Sequence, residues 1–164
     1  MLVLGIDPGI AITGYGLVES DGPVLKPVAF GVIRTPAHTP TADRLIMLYD
    51  QLQELIDEFD PDVAAVEQLF FWSNVTTAMN VSEARGVTKL VLAQRGLITS
   101  EYTPMQVKQA VTGYGKADKS QVQNMVKMLL CLEELPRPDD AADALAVAIC
   151  HISFDRFGIA RSSS

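Results

Sequence analysis

The sequence predicts an α/β protein in which a mixed β-sheet carries helices on both faces. Three observations lead to this class. Three β-rich segments separated by Gly and Pro turns open the chain, helical and strand segments then alternate, and the strand candidate "DVAAVEQ" has an apolar centre without alternation. A strand of that kind is typical of a sheet that is covered on both faces.

The size and composition favour one compact domain. The chain has 164 residues, of which 48% are hydrophobic and 20% charged, so it has enough apolar surface for a sizeable core. We expect a single domain over residues 1–157 and a disordered tail, "GIARSSS", over 158–164.

Neither a membrane anchor nor a secretory signal is expected. No run reaches the ~18 apolar residues that a membrane span needs, and no basic residue precedes the opening apolar run. Cys131 and Cys150 form no C-x-x-C pair and lie in apolar runs, which predicts buried free thiols. We therefore expect a cytoplasmic protein without a membrane partner.

The first three strands are predicted to form a meander. They cover residues 1–7, about 12–19 and 24–34, and they are separated by "DPG" at 7–9 and "SDGP" at 20–23. Gly9 either completes a tight turn or lets the backbone approach a ligand closely.

The next segment predicts a helix followed by a buried strand. Thr39 is the expected N-cap, Pro40 the first helical position, and Asp60-Pro61 the end of the helix. Apolar residues recur at helical spacing: Leu45, Leu48, Leu52, Leu55 and Phe59. The strand "DVAAVEQ" follows and ends in a carboxylate, Glu67.

The second half of the chain predicts alternating elements that complete the sheet and its helices. In order, they are a helix over about 75–95, a strand in "GLITSEY", a short helix from Thr103-Pro104, a helix through "KSQVQNMVKMLL" and a last helix starting in "PRPDDAADALAVAICHI".

The last helix contains an acidic group that needs a partner. Its "AADALAVAICHI" stretch is apolar on all sides except at Asp143 and His151, which predicts a largely buried helix. Asp140 and Asp139 lie three and four residues before Asp143, so either one shares its face. One of the two could serve as the N-cap, but that leaves Asp143 unexplained.

Four carboxylates are expected to converge. Asp7 and Glu67 lie at the carboxyl ends of predicted strands, where α/β sheets place their sites, and the buried helix can present Asp140 and Asp143 to the same crevice. Such a cluster repels itself and raises its own pKa values unless a cation neutralises it. Oxygen ligands suit Mg²⁺ or Mn²⁺, and two such ions about 4 Å apart serve phosphoryl transfer.

Charge is distributed unevenly along the chain. The net charge is −7, but residues 85–127 carry seven basic residues against Glu101 and Asp118, a balance of +5 that leaves −12 for the rest. This segment predicts either a basic face for nucleic acid or ordinary solvated lysines.

Several motifs together resemble one family. "GIDPG" with "TGYG", "VEQ-F" around Glu67, "ARGV", "QVKQAVTGYGKADKSQVQNMV" and "DAADALAVA" resemble, in order and spacing, the RuvC family of Holliday-junction resolvases. The match covers almost the entire chain. The resemblance implies an RNase H-like fold, a homodimer, magnesium-dependent paired nicking of four-way DNA junctions with 5′-phosphate products, and the RuvA and RuvB branch-migration proteins as partners.

The resemblance also implies roles for individual residues. By motif position, the family's acidic quartet falls on four residues: Asp7, Glu67, Asp140 and Asp143. The block "DAAD" favours Asp140 over Asp139. Conserved basic positions fall on Lys108 and Lys119, and Lys119 is the candidate for the scissile phosphate.

Further DNA contacts follow from the same comparison and from the basic segment. Phe70, three residues after Glu67, is expected to stack on bases at the junction centre, whereas Phe71 is expected in the core. Non-specific grip is assigned to four residues: Arg85, Lys89, Lys116 and Lys127. The helix over 75–95 is expected to form the dimer seam.

Other functions stay open at this point. A different RNase H-like nuclease would cut RNA in hybrids or structured RNA, and a non-catalytic scaffold would bind junctions without cutting. Sugar kinases and actin-like ATPases share a "GxDxG" opening but need two lobes, and this chain is too short for them. His38 and His151 are expected to be structural, which argues against a hydrolase triad.

Overall fold

Five strands form one mixed sheet in the order β3-β2-β1-β4-β5. The structure is a computed structural model that describes residues 1–68, 75–156 and 158. The strands are β1 (Leu2–Asp7), β2 (Ile12–Asp21), β3 (Val24–Arg34), β4 (Val63–Glu67) and β5 (Ile98–Tyr102). The helices are α1 (Thr41–Phe59), α2 (Val75–Gln94), α3 (Pro104–Thr112), α4 (Lys119–Leu129) and α5 (Asp139–Arg156).

Strand direction decides which ends share an edge. β1 is antiparallel to β2, and β2 to β3, whereas β1, β4 and β5 are parallel to one another. The carboxyl ends of β1, β3, β4 and β5 therefore lie at one edge of the sheet. This edge is where the open α/β sheet is expected to place a site.

The predicted strands and helices are all present, with small shifts at their ends. α1 begins at Thr41, and Pro40 is an N-cap with extended ψ of 141° and no side-chain capping bond, so the prediction of Thr39 as N-cap was wrong. β5 begins at Ile98 rather than at Gly96, because Gly96 adopts a left-handed φ of 70° in the turn after α2.

Capping boxes fix the starts of the two short helices. Thr103 caps α3 with Gln106, and Asp118 caps α4 with Gln121, each pair exchanging side-chain and backbone hydrogen bonds. α4 therefore starts at a defined residue, Lys119, directly after its cap.

The two faces of the sheet carry separate cores. α5, with α3 and α4, covers one face, and α1 and α2 cover the other. Strand alternation assigns the side chains: Leu4 and Ile6 pack towards α1 and α2, whereas Val3 packs towards α5. By the same alternation Asp7 lies on the α5 face.

Glycines let α5 approach the sheet closely. A Cβ on Gly5 would lie 2.1 Å from the carbonyl oxygen of Ala144, and one on Gly14 would lie 2.0 Å from that of Asp140. No side chain larger than hydrogen fits at either position. The helix backbone therefore rests directly on β1 and β2.

Three further expectations meet the structure here. Cys150 is buried and Cys131 is exposed, so the prediction that both thiols are buried was wrong for Cys131, which follows α4 in a left-handed turn. None of the described helices is both long and apolar enough to cross a membrane. The single domain over 1–157 stays a prediction, and the predicted tail over 158–164 lies outside the described residues except for Gly158.

Candidate active site

Two of the predicted carboxylates end neighbouring parallel strands. Asp7 is the last residue of β1 and Glu67 the last of β4, and the register pairs Ile6 with Val66 just before them. Both side chains point to the α5 face, because Ile6 and Val66 point to the opposite one. The sheet thus places Asp7 and Glu67 side by side.

α5 brings the other two carboxylates to the same edge. Gly14 pairs with Asp7 across β1 and β2, and the backbone of Asp140 rests on Gly14. Asp140 lies in the first turn of α5 and Asp143 one turn further. Since α5 lies directly on the strands, both acids face the end of β1.

The electrostatics show that these side chains share one environment. Burial raises the pKa of Asp7 to about 8, and the charges of Glu67, Asp143 and Asp140 add to the shift. Burial and the charge of Asp143 raise the pKa of Glu67 to about 7. The pKa of Asp143 is raised as well, mainly by burial.

Two lysines stand beside the carboxylates. A cleft of about 290 Å³ is lined by Glu67 and Asp143 together with Lys108 of α3 and Lys119 of α4. Lys119 Nζ lies 3.1 Å from Asp143 Oδ2 and 3.5 Å from Asp139 Oδ2. Partial burial opposes its charge, but the hydrogen bond and charge of Asp143 outweigh that effect and raise the pKa of Lys119.

The donor set suits a hard divalent cation. Carboxylate oxygens are the ligands that Mg²⁺ and Mn²⁺ prefer, and a cation would offset both the burial and the repulsion that raise the pKa values of Asp7 and Glu67. Within residues 1–68, 75–156 and 158, no three carboxyl, imidazole or thiol groups enclose a metal position as the side chains stand. Asp143 Oδ2 pairs with Lys119.

Asp139 and Asp140 differ in their surroundings. Asp139 Oδ1 accepts a hydrogen bond from Arg137 Nη1 at 2.6 Å, and its other oxygen faces Lys119. The charge of Asp140 helps to raise the pKa of Asp7, and both Asp139 and Asp140 help to raise that of Asp143. Asp139 thus differs from Asp140 in its ion pairs with Arg137 and Lys119.

The turn after Asp7 is held by a residue that the sequence analysis did not single out. The Thr13 hydroxyl donates to the carbonyl of Gly9 at 2.6 Å and accepts from its N–H at 3.3 Å. Thr13 is buried. A Thr four residues after a Gly in "DPGIAIT" is the available signal for such a closed turn.

Of the other residues predicted to contact DNA, those that the structure describes are not among the residues that line the cleft. Arg85 pairs with Glu101 on β5, and Lys89 Nζ lies 2.6 Å from the same carboxylate, so these two cations are partly neutralised. Lys116 is exposed in the loop before α4. Phe70 lies outside the described residues.

The histidine of α5 takes part in the core. His151 Nδ1 lies 2.9 Å from the hydroxyl of Tyr102, and burial lowers the pKa of its imidazole. Its ring packs edge-on against Tyr102, the last residue of β5. His151 is thus a buried partner of Tyr102, in agreement with the expected structural role.

Comparisons with known proteins agree with this geometry. A family model described as "Crossover junction endodeoxyribonuclease RuvC" matches residues 3–151. Curated relatives of that name include those of Desulfitobacterium hafniense, 60% identical over 92% of both chains, and Thermomicrobium roseum, 54% identical over 95% of both. The solved structure of Thermus thermophilus RuvC in complex with a Holliday junction substrate superposes with a TM-score of 0.92, at 37% identity over 98% of both chains.

Proposed function

The chain belongs to the RuvC family, and we propose that its four carboxylates form the active site at which it cuts Holliday junctions. It is a crossover junction endodeoxyribonuclease with an RNase H-like fold, and it depends on divalent metal ions as this family does. The reaction is hydrolysis of phosphodiester bonds by paired nicks on opposed strands, in homologous recombination and DNA repair.

One observation carries the assignment of the site. Asp7, Glu67 and the two acids of α5 come from three separate elements, yet the charges of the other three add to burial in raising the pKa of Asp7 at a single edge of the sheet. Burying like charges costs stability, so a cluster of this kind marks a candidate functional site. Divalent cations bound by the carboxylates would neutralise them and attract the anionic DNA to this edge.

The proposed ligands are the quartet itself: Asp7, Glu67, Asp140 and Asp143. We propose Mg²⁺, with Mn²⁺ as a substitute, and two ions in each site. When bound, such ions lower the pKa of water and neutralise the charge that grows on the leaving oxygen.

The lysines of the cleft complete the chemistry from the protein side. Lys119 Nζ lies within 3.1 Å of Asp143, so a phosphate bound against the acidic cluster comes within hydrogen-bonding reach of this ammonium. Its raised pKa keeps it charged throughout the working range. We assign it to the scissile phosphate, and Lys108, on the same cleft, to an adjoining phosphate oxygen.

Paired nicks require two sites, which we propose are supplied by a homodimer. α2 exposes Met79 and Leu90, which are eleven residues apart and therefore on one side of the helix. This face is the proposed seam. We further propose that Phe70 stacks on junction bases, that Lys116 and Arg85 contact the DNA backbone, and that RuvA and RuvB deliver the junction in the cytoplasm.

The experiment compares substrates and metals directly. Labelled four-way junction, linear duplex and RNA–DNA hybrid are incubated with the protein in Mg²⁺, in Mn²⁺ or in EDTA. We expect metal-dependent nicks at opposed positions of the junction only. Asp7→Asn should reduce nicking by at least about a thousandfold, as loss of a ligand to an essential ion would, while junction binding in EDTA persists.

Asp62→Asn serves as the matched control. Asp62 lies before β4, and its carboxylate accepts from the N–H of Leu2 at the opposite edge of the sheet. Its nicking should stay within about twofold of wild type, since Asp62 lies far from the reacting phosphate. Nicking of the hybrid instead would assign the protein to the ribonucleases, and binding without nicking in either metal would make it a scaffold.

A further inference from the structure

A cation outside the basic segment lies at the same edge as the acidic cluster. Arg34 is the last residue of β3, whose carboxyl end shares this edge with Asp7. The register pairs Arg34 with Ile12 and Val32 with Gly14, and Gly14 faces α5. Since alternate residues share a face, Arg34 lies on the α5 face as the carboxylates do.

The Arg34 side chain is available to a ligand. It is exposed, and among residues 1–68, 75–156 and 158 no hydrogen bond or ion pair involves it. β3 is an edge strand, so no further strand covers this side of the sheet. An unpaired guanidinium at this position is free to form a fork with a phosphate.

The strand end that carries Arg34 is braced. The next residue, Thr35, is buried, and its hydroxyl donates to the carbonyl of Ile10 at 2.5 Å and accepts from Arg44 Nε at 2.8 Å. The N–H of Thr35 also donates to the carbonyl of Ala11 at 3.1 Å. These bonds join the end of β3 to the turn after Asp7, so Arg34 keeps a defined place relative to the cluster.

Arg34 and the cleft lysines stand on opposite sides of the carboxylates. Lys108 and Lys119 lie towards β4 and β5, whereas Arg34 lies two strands from β1 on the other side, roughly 10 Å away at the usual strand spacing. A DNA strand whose scissile phosphate lies at the cluster extends its neighbouring phosphates to both sides.

We propose that Arg34 binds a backbone phosphate of the junction on the β3 side of the acidic cluster. The substrate strand then crosses the cluster between cations, with the lysines on one side and Arg34 on the other. This inference rests on the proposed function of the same edge. It makes Arg34 a substrate-binding residue that affects affinity and leaves the chemical step unchanged.

The test measures the salt dependence of junction binding in EDTA. Each phosphate contact contributes about 0.9 to the slope of log K against log salt, which corresponds to about a 3.5-fold affinity change between 50 and 200 mM. Arg34→Gln should make the slope less steep by about 0.9 for each subunit that contacts the junction. The change should be the same on junctions of any sequence. Arg34→Lys should recover most of the slope, and kcat at saturating junction should stay within about twofold of wild type, as a contact that only positions substrate implies.

Lys26→Gln is the matched control, because Lys26 is an exposed cation of the same strand at the opposite edge of the sheet. If wild type nicks junctions but Arg34→Gln and Lys26→Gln give equal salt slopes, the role of Arg34 is overturned and the proposed function is not. A wild-type protein that binds but does not nick would overturn the proposed function instead. Equal melting temperatures of both variants exclude misfolding as the cause.

Discussion

The two faces of the sheet are packed with different kinds of side chain. On the α5 face, Gly5 and Gly14 lie directly under the backbone of a helix that is rich in alanine. On the α1 face, large side chains such as Leu52 and Leu92 fill the space between helices and sheet. Both faces are well buried, yet only the α5 face carries the acidic cluster.

This difference relates packing to chemistry. Where backbone rests on backbone, the helix has little room to shift, so Asp140 keeps a fixed height above Asp7. Leucines in contact with leucines adjust more easily, because side chains can change rotamer and neighbours can relax. The α5 face therefore positions a site, and the α1 face supplies apolar burial.

Among changes to the packing of the two faces, the largest effect on nicking is expected from adding one methyl group on the α5 face. In Gly14→Ala the new Cβ would lie 2.0 Å from the Asp140 carbonyl oxygen, so the first turn of α5 has to move away from β2. Displacing two carboxylates by about 1 Å should reduce nicking by ~100-fold or more. Nicking rates of the folded variant, with its circular dichroism spectrum as control, test this; unchanged rates would mean that α5 is not fixed by this contact.

The corresponding change on the α1 face should separate stability from activity. Leu52 is fully buried, and Leu52→Ala should lower the free energy of unfolding by about 2–5 kcal/mol. Nicking per folded molecule should stay within about twofold at a temperature where the variant is folded. Urea unfolding and nicking assays measure the two quantities, and a proportionate loss of nicking would contradict the division between the faces.

The acidic cluster should make stability depend on pH in the absence of metal. The pKa of Asp7 rises from 3.8 to about 8 on folding, and that of Glu67 from 4.5 to about 7. The folded protein therefore retains protons that the unfolded chain releases, so stability falls as the pH rises from about 4 to 8.

Thermal unfolding in EDTA at several pH values checks that slope. At pH 8, the melting temperature of Asp7→Asn should exceed that of wild type by roughly 2–4 °C for each kcal/mol of stability gained. Near pH 4 the two melting temperatures should become similar. Mg²⁺ should raise the melting temperature of wild type at pH 8 more than that of the variant. Parallel curves for the two proteins would contradict the raised pKa of Asp7.

The smallest effect is expected from an ion pair on the α1 face. Asp57 pairs with Arg95 at 2.6 Å, and the Asp57 side chain is 58% exposed. Asp57→Asn should change the free energy of unfolding by less than about 1 kcal/mol and leave nicking unchanged, since exposed pairs contribute little. A loss of nicking in Asp57→Asn would mean that the net charge of the protein, and not the position of the charge, controls the reaction.

Local patterns predicted the elements well and their contacts poorly. Pro and Gly located the turns, and helical spacing located α1 through residues such as Leu48 and Leu52, because these signals act over a few neighbours. The predictions for the start of α1 and for the burial of Cys131 were wrong. Each depends on how one residue's backbone meets the surrounding structure.

Part of the candidate site could also be predicted from local patterns. Asp7 and Glu67 could be placed at strand ends from hydrophobic patterns alone, and Asp143 stood out as a charge in an apolar helix. The choice between Asp139 and Asp140 rested on a motif. The structure separates them by their partners, Arg137 for the first and the carboxylate cluster for the second.

The α/β class, the order of the elements and the residue types that suit a divalent cation could all be predicted from the chain alone, because periodicity and charge are local properties. Three other features became known only from the folded molecule: Gly14 sets the height of α5, Lys119 meets Asp143, and Arg34 lies across the cluster from the lysines. These relations join residues far apart in the chain. They depend on strand order and on the closeness of backbone packing, which no local pattern encodes.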